Sequence, residues 1–123
     1  MTSNKVVIVS DSEEMRESLE RLISQAGFDA ETKSSLEVSL LTSTPESISC
    51  LVLDTVKGDL KEPGKIAAFQ KACALQSVLV LIHVGDIPTA VQAIRQGAAN
   101  VIQKPVKQAE LLEGISKIFG TGT

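Results

Sequence analysis

Two kinds of segment alternate along this chain, and that alternation restricts its fold more than any other feature. Short apolar runs rich in Val, Ile and Leu occur in "KVVIV" (5–9), "SCLVLD" (49–54) and "VLVLIH" (78–83). Each is too short for a helix and has no polar face, so each reads as a strand buried on both sides. Helical periodicity fills the intervals. In "SEEMRESLERLISQAG" (12–27), Met15, Leu19, Leu22, Ile23 and Ala26 recur on one face. Ser12 is placed to cap that helix, Glu13 and Glu14 suit its first turn, and Gly27 stops it. "FDAETK" (28–33) alternates only weakly, as an edge strand would, and a short helix over 35–43 would put Leu36, Leu40 and Leu41 on one side.

The second half repeats the theme. "KIAAFQKACAL" (65–75) turns Ile66, Phe69 and Cys73 inward, and "PTAVQAIRQG" (88–97) carries Pro88 in its first turn and Gly97 at its end. "ANVIQ" (99–103) is a fifth strand, and "QAELLEGISKIF" (108–119) a last helix with Leu111, Leu112, Ile115 and Phe119 on one face. Five β–α alternations joined by right-handed crossovers give a parallel sheet covered on both faces. With five strands, the doubly wound flavodoxin-like order 2-1-3-4-5 is favoured. Its switch point lies between strands one and three, where ligands bind beyond the carboxyl ends. A length of 123 residues suits one domain over 1–123.

Composition removes several function classes. A net charge of −3 offers no basic field to nucleic acid. No apolar run approaches the roughly 20 residues that span a bilayer, and "MTSNK" is no signal peptide, so a cytoplasmic location is expected. Cys50 and Cys73 stand singly in apolar segments, which favours buried free thiols over a disulfide or zinc. Neither GxGxxG nor GxxxxGK[ST] occurs, and without Trp or Tyr there is nothing to stack on a flavin.

Three polar residues fall at the expected carboxyl ends: Asp11 after strand one, Asp54 ending strand three, Lys104 after strand five. Asp11 and Asp54 would be neighbours across the switch point. Two carboxylates about 4 Å apart repel by about 4 kcal/mol at an effective dielectric near 20. A magnesium ion in an all-oxygen pocket would relieve this, and an ammonium would keep Asp54 ionised. A carboxylate nucleophile, a cation and a lysine are the parts needed to accept a phosphoryl group.

The segment "GDIPTAVQAIRQGAANVIQKPV" (85–106), with "VIVSDSEEMRESL" and "LVLD", resembles the receiver domains of bacterial two-component response regulators, the FixJ/NarL subgroup in particular. The resemblance covers about residues 4–119. It implies Asp54 as phosphoacceptor, Lys104 as the phosphoryl-binding lysine, and a weakly held Mg2+ on Asp11, Asp54 and the backbone carbonyl of Val56. It also implies a cis Lys104–Pro105 peptide. As partner it implies a histidine kinase or phosphotransfer protein. Output would pass through the face of helix four, strand five and helix five, the family's usual surface for homodimers or an effector domain. No DNA-binding segment is present, so an effector would be a separate domain. The receiver would catalyse only its own phosphorylation and dephosphorylation.

Departures from the family pattern are concentrated at the pocket. Ser10 stands where the first of two adjacent acids is usual, and Ile82 where a Ser or Thr hydroxyl normally grips the phosphate. His83 takes the place of a small residue and Val101 that of the aromatic switch. Ser10 and His83 would line the pocket, whereas Ile82 and Val101 would be degenerate switch positions. These departures also fit a second reading, a receiver acting as a phosphorylation-independent protein-binding module. Affinity for magnesium separates the two.

Overall fold

The computed structural model describes residues 5–35, 50–55, 60 and 63–119. Its elements run β1 (Lys5–Val9), α1 (Glu13–Gln25), β2 (Asp29–Lys33), β3 (Cys50–Asp54), α2 (Pro63–Leu75), β4 (Ser77–Ile82), α3 (Ile87–Arg95), β5 (Asn100–Gln103) and α4 (Gln108–Phe119). The helix expected over 35–43 lies outside the described residues. Hence α3 and α4 here are the fourth and fifth helices of the sequence reading. All strand pairs are parallel, in the order β2-β1-β3-β4-β5, as the alternation predicts.

Alternate residues of each strand feed different layers. Val7, Val9, Leu51, Leu53, Val78, Val80 and Ile82 pack on Phe69 and Ala72 of α2 and Ala93 of α3. Val6, Ile8, Cys50, Val52, Leu79 and Leu81 pack on Leu19 and Ile23 of α1 and Leu111 and Ile115 of α4. This explains why β1, β3 and β4 are apolar at every position but one end residue each, Lys5, Asp54 and Ser77. Both of their faces are core. β2, at one edge, is more polar, and its Glu31 lies between Lys5 (3.1 Å) and Lys33 (3.4 Å). The Lys5 hydrogen bond is the main reason the Glu31 carboxyl is held below the usual glutamate range. Such charges discourage further strand pairing.

Helix ends follow local chemistry. The Ser12 hydroxyl accepts the Met15 N–H at 3.2 Å, and Gly27 leaves α1 at φ +99°. α3 starts one residue earlier than Pro88 suggests, because Asp86 is its N-cap and accepts the Thr89 N–H. In α4, Gly114 is buried against β4. A Cβ there would lie 2.9 Å from Leu79 Cδ1, so the absence of a side chain sets how closely this helix approaches the sheet.

Candidate functional site: a carboxylate held by a lysine and a serine

The strands finish nearly level. Val9 pairs with Leu53, Leu53 with Val80, and Ile82 with Gln103. Ser10, Asp54 and Lys104 therefore leave or end their strands at the carboxyl end of the sheet, although Asp54 lies 44 residues from Ser10 and 50 from Lys104 in the chain. Ser10 follows β1 and is 1% exposed, its N–H donating to the Lys33 carbonyl at 3.2 Å. Lys104 is set by its own N–H, which donates to the Ile82 carbonyl at 2.7 Å, and the Lys104–Pro105 peptide is cis.

Both carboxylate oxygens of Asp54 have a donor. Lys104 Nζ lies 2.6 Å from Oδ1, and Ser10 Oγ lies 2.8 Å from Oδ2. Only 6% of the Asp54 side chain and 15% of the Lys104 side chain is exposed, so water screens the pair poorly. Lys104 Nζ also donates to the Thr55 carbonyl at 2.7 Å. Thr55 is in turn fixed to β4, because its N–H and its hydroxyl both donate to the Leu81 carbonyl. On the other flank, Arg16 Nη1 donates to the Ser10 carbonyl at 2.7 Å. The result is an ionised, oriented oxygen nucleophile beside a fixed cation. That pairing suits attack on an electrophile carrying negative oxygens.

The remaining residues singled out from the sequence are placed differently. Asp11 follows Ser10 and is exposed, and the described residues contain no group of three His, Cys, Asp or Glu side chains suited to a metal. Val56 lies outside the described residues. Ile82 is 2% exposed in the layer facing α2 and α3, and Val101 packs partly buried against that layer. His83 is exposed, and its carbonyl accepts the Asp86 N–H in the turn before α3. The cysteines are free; burial pushes the Cys50 thiol up to about 12 and raises that of Cys73 as well. Thr55 and Arg16 were not anticipated. A buried β-branched hydroxyl directly after a strand was a visible hint for the former, but nothing in the sequence marks Arg16.

A five-stranded doubly wound sheet in this order, with a carboxylate–lysine pair at its switch point, defines a flavodoxin-like α/β protein. A family model for the response regulator receiver domain matches residues 6–116. The chain belongs to that family, the receivers of two-component signalling. It is 34% identical over 116 residues to the C4-dicarboxylate transport transcriptional regulatory protein DctD of Rhizobium meliloti, covering 88% of this chain and 24% of that protein. To the response regulator protein TodT of Pseudomonas putida it is 31% identical over 119 residues, covering 89% and 48%. The crystal structure of FixJ-N superposes with a TM-score of 0.81 at 27% identity, covering 96% of this chain and 94% of that one. The chain thus spans between a quarter and about half of these two curated relatives. Among the described residues, no helix is long and apolar enough to cross a membrane.

Proposed function

We propose that Asp54 is the phosphoacceptor of this receiver and that Lys104 binds the phosphoryl group as it arrives. One observation carries the reading: Lys104 Nζ stands 2.6 Å from Asp54 Oδ1 in a largely buried site at the switch point. An Asp54 oxygen attacks the phosphorus of a phosphohistidine on a kinase or phosphotransfer protein. A new P–O bond forms as the P–N bond breaks, and the electron pair leaves with the imidazole. Lys104 stays close enough to neutralise charge on the transferred oxygens. Thr55 supports it by holding the ammonium with a backbone carbonyl.

Asp11 and Asp54 would offer carboxylate oxygens to a hard divalent cation, and the family resemblance adds the Val56 carbonyl. When bound, magnesium would neutralise charge on the phosphoryl oxygens. The output surface is proposed to be the face of α3, β5 and α4, serving a second copy or an effector domain. The exposed Ile87, Val91 and Ile94 of α3 support this. The chemistry proposed is confined to the domain's own acyl phosphate, formed and hydrolysed in the cytoplasm.

Intact mass after incubation with acetyl phosphate and magnesium tests the acceptor. Wild type should gain one phosphoryl group and Asp54→Asn none. A phosphorylated Asp54→Asn protein would reject the assignment.

A further inference from the structure

A carboxylate carries no proton to share, so the hydrogen between Ser10 Oγ and Asp54 Oδ2 comes from the serine. The direction of that hydroxyl is fixed from the other side as well. Ser10 Oγ accepts the Ser12 N–H at 3.1 Å, which takes one lone pair and leaves the proton aimed at Asp54. Arg16 clamps the Ser10 carbonyl, and the residue is 1% exposed. Thus Ser10 is a held donor, neutral and aimed at the acceptor oxygen that Lys104 does not touch.

We propose that Ser10 is a positioning residue that competes with a divalent cation for Asp54 Oδ2. Ser10 already occupies one lone-pair position of that oxygen and draws its negative charge toward the hydroxyl hydrogen, so a cation at Oδ2 must displace the serine or share the oxygen with it. The serine brings no negative charge in return, and Lys104 already offsets the charge of Asp54. The consequence is a pocket that orients its acceptor without metal and binds magnesium weakly. The inference rests on reading this pocket as a cation and phosphoryl site, but it concerns binding alone and needs no phosphorylation.

The test is calorimetric titration of magnesium chloride into the full 123-residue chain. Ser10→Ala removes the competing donor and should bind magnesium about threefold to tenfold more tightly than wild type, the scale of one modest hydrogen bond. Ser10→Thr restores the hydroxyl and should return to within about twofold of wild type. In an Asp54→Asn background, Ser10→Ala should have no effect. Unchanged or weaker binding by Ser10→Ala would overturn the proposal, as would undetectable binding by that variant. Tightening by Ser10→Thr equal to that by Ser10→Ala would also overturn it. If Ser10→Ala did not fold, Ser10→Gly would make the same comparison. Failure here leaves the phosphoacceptor reading untouched, since that one is decided by the mass of Asp54→Asn.

Discussion

Among the described residues Lys104 has three ties: its N–H to Ile82, and its ammonium to Asp54 and to the Thr55 carbonyl. Removing the side chain would strand a carboxylate that is only 6% exposed, with the Ser10 hydroxyl the one side-chain donor left to it among the described residues. Breaking a buried pair costs more than the pair contributes, because the remaining charge loses its partner but does not regain water. Lys104→Ala should therefore lower stability by about 1–3 kcal/mol, the pair being partly rather than fully buried. Adding Asp54→Asn should recover part of the loss, because the neutral amide needs no cation. Urea unfolding of the two single variants and the double variant gives the coupling. Additive losses would mean that the ion pair contributes little.

At the level of the elements, the contact between α4 and the sheet makes a sharper demand than helix propensity. Alanine at 114 would gain roughly 1 kcal/mol of propensity over glycine. Its Cβ, however, would sit 2.9 Å from Leu79 Cδ1, an atom of a fully buried side chain with Ile102 Cδ1 close by. Overpacking a filled core costs about 1–3 kcal/mol, so packing should win and Gly114→Ala should lose about 1 kcal/mol net. Leu79→Val makes room, so the double variant should be more stable than the sum of the two singles predicts. Thermal melts of all four proteins would measure this; a stabilised Gly114→Ala would mean that the core yields easily. The elements themselves were largely legible, because two-sided burial forces β1, β3 and β4 to be apolar at every fully buried position. The position of Asp54 and Lys104 was legible too, since parallel strands send both to the carboxyl end of the sheet. The direction of the Ser10 hydroxyl was not, because it depends on a backbone N–H two residues on and on an oxygen 44 residues away.

For the molecule as a whole, the open matter is how far an event at Asp54 reaches. A ligand shifts two states only by its differential affinity for them. Ile82 is sealed in the layer under α2 and α3 and has no hydroxyl to offer a phosphate, and Val101 packs on that layer without a ring to turn inward. One charge-assisted hydrogen bond, about 1.5–3 kcal/mol, is most of a typical coupling of about 1–3 kcal/mol. Phosphorylation should thus leave the face of α3, β5 and α4 little changed. Hydrogen exchange with and without beryllofluoride would reveal this. Strong protection changes over residues 86–106 would contradict it.

The pocket is closed by contacts 44 and 50 residues apart, and Lys104 follows β5, the last strand of the sheet. Contacts at such separation carry a large loop-closure cost until the elements between them have ordered, so they should form late in folding. During synthesis Asp54, the proposed acceptor, emerges 50 residues before Lys104, and a chain cut after β4 would hold Asp54 but lack its cation. Chemical competence is thereby tied to the completed fold. In rising urea, the capacity to take phosphate from acetyl phosphate should vanish in step with secondary structure, and labelling that outlasted the unfolding transition would deny that link. On the proposed reading, a kinase meeting a nascent or half-folded copy would find an aspartate that cannot yet answer.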